Sequence, residues 1–259
     1  MGRGTIFWGS LLIIVGGVLL LDNLGLLGGI NVWGVIWPLV LIAIGVWIIW
    51  GSFFRRRQES EQISVPIESA QRARVKLSHG AGKLVVSSGA PDGMLLSGDF
   101  RGGIELHKSQ KGDQLDVRVN PDSFAWFPGS TLDWNVSISN AMRLVLDVET
   151  GASDTRLDLA DLQLDELYLK SGANATVITL PDNAGFTRAR IESGAASVEI
   201  RIPEGVAASI RSRAGLSSVM VDSTRFPRQG EVFQSADYQE ASNKVELDIQ
   251  IGVGSVAIR

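Results

Sequence analysis

Two histidines, a cluster of acids and a set of glycine-marked small-residue steps are the positions in this chain whose types could do chemistry. His79 and His107 could ligate a metal or act as bases, but neither sits in a spacing that suggests a metal site or a catalytic triad. Asp154, Asp158, Asp161, Asp165 and Glu166 offer the hard oxygen ligands that calcium takes, yet the run lacks the glycine-punctuated Asp pattern of an EF-hand loop. Acids alternating along a strand read instead as a solvated face. Steps such as Ser171-Gly172-Ala173 would cradle a phosphate only with Gly-Lys-Ser/Thr following and a helix behind, and neither is present. No Gly-x-Ser-x-Gly elbow exists to raise a serine nucleophile. With no cysteine, disulfides and thiolate metal sites are excluded. The expectation is a non-enzyme, with no catalytic, metal-binding or cofactor-binding residue. The formal charge of −4, and the lack of a basic stripe beyond the membrane boundary, disfavour a nucleic-acid partner.

The same glycines set the architecture. Gly151, Gly172, Gly194 and Gly215 are 21, 22 and 21 positions apart, each opening a run of small residues before a β-type apolar run. A fixed period of this length is the mark of a stacked, solenoid-like fold. Fainter copies surround Gly80 and Gly252. Glu166-Leu167-Tyr168-Leu169-Lys170 alternates polar and apolar as a strand does. Each unit reads as strand, tight turn, strand, with the glycine supplying a positive φ. Ser223 to Asn243 reads as an insertion that stretches Gly215 to Gly252 to 37 positions, and Lys244 to Ile249 and Ser255 to Ile258 close the domain.

Residues 1–54 read as a membrane hairpin. Thr5 to Leu21 is free of charge and, as 17 helical residues, would reach roughly 25 Å, near the lower limit for a span. Val32 to Phe54 is a second charge-free run of about 35 Å if helical. The glycine-rich turn between them carries Asp22 and no basic residue. Trp33 and Trp37 near the start of the second helix, and Trp47 and Trp50 near its end, sit where an interface belt would place them. Arg55, Arg56 and Arg57 follow, and each would gain about 1 kcal/mol beside anionic headgroups. With Arg3 at the other end, the positive-inside rule puts both termini in the cytoplasm.

Residues 55–68 read as a charged linker and 69–259 as an all-β repeat domain. Asn120 to Gly129 breaks the regularity with Phe124, Trp126 and Phe127 between two prolines. It is the candidate partner-binding loop, since loops on a rigid scaffold often carry recognition; the competing expectation is a loop that folds its own aromatics over an open end of the stack.

The membrane segment, through Leu21-Asp22-Asn23-Leu24-Gly25 and Trp37-Pro38-Leu39, resembles the two-helix module of LiaF-like cell-envelope stress regulators. The β domain resembles the toast-rack, adhesin-like domains that accompany it, through Trp134-Asn135-Val136, Thr150-Gly151-Ala152-Ser153 and Ser171-Gly172-Ala173 to Leu180-Pro181. The resemblance implies a non-enzymatic bacterial membrane protein, a regulator or scaffold whose relatives restrain or assist a membrane sensor histidine kinase. The expected partners are the lipid bilayer, such a membrane protein, and a second copy of the chain. Exposed strand edges make self-assembly into a membrane-anchored structural protein the competing expectation.

Overall fold

The computed structural model describes residues 37, 38, 40–42, 45, 60–122 and 132–259. The chain divides into two compact units, Met1–Arg56 and Arg57–Arg259. In the first, Trp37, Pro38, Val40, Leu41, Ile42 and Gly45 are helical, and Trp37, Leu41 and Ile42 expose 65%, 63% and 60% of their surface. Among the described residues no helix is long and apolar enough to cross a membrane. The expected span 5–21, most of the span 32–54, and Trp33, Trp47, Trp50, Arg55, Arg56 and Arg57 lie outside the described residues.

The second unit is all β. Its strands are β1 (Glu61–Pro66), β2 (Arg72–Ser88), β3 (Met94–Arg101), β4 (Ile104–Lys111), β5 (Gln114–Pro121), β6 (Leu132–Ile138), β7 (Arg143–Asp158), β8 (Leu164–Thr179), β9 (Phe186–Arg201), β10 (Ala207–Val221), β11 (Arg228–Gln229), β12 (Val232–Gln234) and β13 (Lys244–Ile258). The long strands β2, β7, β8, β9, β13 and β10 stack in that order, parallel and in register. β1 falls within the stretch read as linker. Its Val65 is buried, but only two alternating apolar residues mark a six-residue strand, too few for periodicity to reveal.

Each long strand is one bent strand rather than two strands joined by a turn. In β7 the alternation of buried and exposed positions runs evenly to Thr150, shows two exposed residues in succession at Gly151-Ala152, and resumes in the opposite phase. The bend divides every rung into an N-terminal and a C-terminal arm. β2 demonstrates the division, pairing with β5 through Arg72–Leu77 and with β6 through Gly82–Ser88. Inward residues of both arms, such as Leu146, Val148 and Leu157 of β7, belong to one continuous core.

The glycines do form a column, though for a reason other than positive φ. Gly80, Gly151, Gly172, Gly194, Gly252 and Gly215 are absent from the left-handed region. Instead, a Cβ on Gly151 would stand 2.6 Å from the Gly80 carbonyl oxygen, and one on Gly172 would stand 2.8 Å from that of Gly151. The same relation links Gly194 to Gly172 (3.1 Å), Gly252 to Gly194 (2.6 Å) and Gly215 to Gly252 (2.7 Å). Close approach of successive backbones at the corner excludes any side chain. Only the two corners written Gly-x-Gly add left-handed backbone, at Gly82 (φ 135°) and Gly254 (φ 138°).

The order of the stack departs from the sequence. β13, the last strand, lies between β9 and β10. Apolar content explains the exchange. β13 points Val245, Leu247, Ile249, Ile251, Val256 and Ile258 inward, all buried, whereas β10 has Ser212 and Ala214 opposite Ile249 and Ile251 beside its corner. The more apolar strand takes the slot covered on both sides, and burial drives the choice. The insertion 223–243 makes the excursion possible. Its Phe226 is buried in the core, and Arg225 donates to the Ile202 and Pro203 carbonyls at 2.8 and 2.9 Å.

Candidate partner-binding surface

Three features of the β domain bear on recognition: a charged face, a corner groove and a buried aromatic cluster under the nearest corner. Outward residues of the N-terminal arms form cross-strand ladders of opposite charge. Lys76 reaches Glu149 at 2.7 Å and Asp147 at 3.8 Å. Arg188 bridges Glu166 at 3.8 Å and Glu246 at 3.4 Å, and Arg190 reaches Asp248 at 3.6 Å. The Glu149 carboxylate, accepting a hydrogen bond from Lys76, holds that ammonium's pKa above its usual value. These pairs are half-exposed, so they contribute little stability and chiefly fix register.

Along the outside of the corner runs an open groove of about 700 Å³. Its backbone floor is the column Gly194, Gly252 and Gly215, and Lys170, Glu192, Gln250 and Arg213 stand over it. The groove exists because glycines leave the ridge without side chains, while the register places one long polar side chain per rung beside it. Mixed charge with exposed backbone suits a polar peptide segment better than a single small molecule.

Inside the corner, the register aligns His79, Thr150, Ser171 and Ser193, all buried. Ser171 and Ser193 hydroxyls are 2.5 Å apart. His79 donates from Nε2 to the Leu132 carbonyl at 2.9 Å and packs edge-on against Trp134, ring centroids 5.1 Å apart. With the Nε2 proton in that bond, Nδ1 of the neutral ring is bare and has no partner among the described residues. Burial pushes the imidazole pKa below the usual histidine value, against the opposing pull of the Leu132 hydrogen bond and of Asp133. An unfolded chain therefore binds the proton more readily, and stability is lost as pH falls from about 6.5 toward the lower folded-state value. Melting of the full chain in detergent at pH 7.5 and pH 5.5 should show this drop. His79→Leu should shrink the difference between the two pH values; an unchanged difference would show that another group sets it.

Three of the five acids read as a solvated face, Asp161, Asp165 and Glu166, take protein partners. Arg143 binds Asp165 at 2.7 Å, Tyr168 donates to Glu166 at 2.9 Å, and Ser88 donates to Asp161 at 2.9 Å. His107 lies on β4, opposite Arg118 of β5, so the structure does not bring the two histidines into one site. Phe124, Trp126 and Phe127 lie outside the described residues, and of the membrane-interface residues only Trp37 is described. Sequence reasoning did not single out the corner groove or the buried polar column. Its signal was present in the residue before each glycine, which is His, Thr or Ser in the first four rungs.

A stack of bent, parallel strands held by backbone contact at a glycine corner defines a purely β scaffold, with charged ladders outside and aliphatic packing within. The family described as the N-terminal domain of toast_rack matches residues 54–201, and the LiaF transmembrane domain matches residues 7–63. The chain belongs to this LiaF-like family, in which a transmembrane module precedes a toast-rack β domain. The LiaF transmembrane domain makes it a membrane-associated protein. No curated protein matches the chain. Among solved structures, a Clostridium sporogenes protein provisionally named for cell adhesion is 20% identical, with a TM-score of 0.71, covering 77% of this chain and 97% of its own. That likeness is one of fold. A Bacteroides fragilis protein provisionally named an adhesin covers 78% of this chain and 98% of its own, at 7% identity and a TM-score of 0.29.

Proposed function

We propose that this protein is a non-enzymatic, multi-pass membrane regulator or scaffold in bacterial cell-envelope stress signalling. The hairpin anchors it, and the β domain, on the cytoplasmic side with both termini, binds a membrane protein such as a sensor histidine kinase. The observation that carries the reading is the union, in one chain, of a LiaF transmembrane domain with a stiff stack that presents an open groove rimmed by Lys170, Glu192, Gln250 and Arg213. Four strands locked in register, β8, β9, β13 and β10, present the groove residues at fixed spacing, so binding costs little ordering entropy. Regulation then requires the stack to bind one state of the kinase more tightly than the other; equal affinity would shift nothing.

Affinity purification of the tagged full chain from native membranes tests this. A histidine kinase should co-purify, and Lys170→Glu combined with Arg213→Glu should cut its recovery by about tenfold through loss of groove charge. Recovery of nothing beyond the chain itself would sink the partner reading. A topology reporter fused after Arg259 should be active only in the cytoplasm; activity on the outer side would overturn the orientation.

A further inference from the structure

The two sheets of the stack have four edges, and three are blunted in the ways that natural proteins use against strand pairing. β1 is six residues long and carries Glu61 and Pro66. β4 carries Glu105, Lys108 and Lys111, and is strapped by Glu68, whose carboxylate pairs with Lys108, and by Ser69, which accepts from Gln110. At the far end of the N-terminal arms, β12 covers β10 from Ser209 to Arg211, and β11 ends that side after two residues. The fourth edge is the C-terminal arm of β10. Among the described residues, nothing pairs with it beyond Arg211 on the side away from β13. Gly215-Leu216-Ser217-Ser218-Val219-Met220-Val221 contains no charge and no proline, and Leu216 and Met220 are 84% and 62% exposed.

We infer that this edge pairs with the same edge of a second copy, antiparallel, about a two-fold axis at Ser218. The axis must stand perpendicular to the sheet to keep both outward faces on one side, and it then passes through a residue rather than between two. With Ser218 on the axis, Leu216 of each copy lies opposite Met220 of the other, so the two most exposed apolar side chains of the edge cover one another twice. Ser217 lies opposite Val219 on the inner face. The ends of the run carry opposite charge, Arg213 before it and Asp222 after it. Antiparallel pairing brings each acid to within one position of the other copy's arginine, whereas parallel pairing would set like charges together. The interface is isologous and closes on itself, so it yields a dimer rather than a fibre. It extends the sheet beyond β10, meets the corner groove only at Arg213, Ala214 and Gly215, and stands whether or not a kinase binds there.

The chain's lack of cysteine makes the test direct. Ser218→Cys in the full chain, oxidised in intact membranes, should give a covalent dimer on a non-reducing gel, because position 218 faces itself across the axis. Ser197→Cys, on the outward face of β9, should not. Adding Leu216→Lys and Met220→Lys to Ser218→Cys sets lysines opposite one another and should lower crosslinking by about tenfold. Leu216→Lys with Met220→Glu places opposite charges across the axis and should restore it. Both side chains are largely exposed, so an unchanged melting temperature will certify the fold of each variant. A monomer for Ser218→Cys, equal crosslinking of Ser197→Cys, or failure of the charge exchange to rescue would each overturn the pairing. Loss of kinase recovery with crosslinking intact would sink the partner reading alone.

Discussion

Gly254→Ala should destabilise the β domain by about 4 kcal/mol, the sum of a severe overpacking and a strained backbone. A Cβ at this position would lie 1.9 Å from the Ala196 carbonyl oxygen, a backbone atom of the adjacent strand that cannot swing aside. Its φ of +138° is also one that an L-residue rarely adopts. Relieving the clash would separate β13 from β9 where their backbones meet at the corner. Two comparisons isolate the causes. Gly185→Ala has φ +76° with open space around it, so it carries only the conformational term, about 1 kcal/mol. Gly194→Ala has ordinary backbone and a 3.1 Å contact, so it carries a mild form of the steric term. Denaturant melts followed by far-ultraviolet circular dichroism should rank Gly254→Ala well below both. Should it melt together with Gly185→Ala, close backbone approach is not what keeps the corners glycine.

Trp134→Ala should cost about 4 kcal/mol, in the range for removing a large aromatic from a packed core. Trp134 is 1% exposed and meets Phe100 and His79 edge-on, with centroids 5.4 and 5.1 Å away. It sits on β6, beside Leu84 of β2 and Phe100 of β3, and fills the space where the first long strand hands over to the shorter strands. Its indole Nε1 has no hydrogen-bond partner among the described residues. Trp134→Phe therefore forfeits volume but no hydrogen bond, and should cost only about 1–2 kcal/mol. Equal losses for the two variants would mean that the indole N–H is satisfied in solution, by a bound water for instance. Tyr168→Ala, on the outward face and 36% exposed, provides the scale for a surface change, about 0.5 kcal/mol or less.

The repeat itself was legible because it is local. A glycine every 21 or 22 residues, flanked by alternating runs, encodes one bent rung, and each rung repeats the same short-range geometry. What the glycines do was misread, since positive φ and close backbone approach demand the same residue and differ only in what lies next door. Gly172 shows this: nothing in its own neighbourhood requires glycine, but the Gly151 carbonyl oxygen, 21 positions earlier, does. The corner groove escaped notice for a related reason. Lys170, Glu192, Gln250 and Arg213 are scattered in sequence and are aligned only by register.

By itself, the sequence determined two charge-free amino-terminal runs, the second flanked by tryptophans, an all-β remainder, the identity of the repeating unit and the family to which the chain belongs. The runs, the remainder and the repeat follow from periodicity and composition, which act over a few residues at a time, and the family follows from resemblance at Leu21-Asp22-Asn23-Leu24-Gly25 and Ser171-Gly172-Ala173. Only the tertiary structure decided which rung neighbours which. β13 displaced β10 from the interior because six buried aliphatics gain more from cover on both sides than a strand whose inward positions include serine and alanine. That competition is between segments some forty residues apart, and its outcome left Leu216 and Met220 on an open edge.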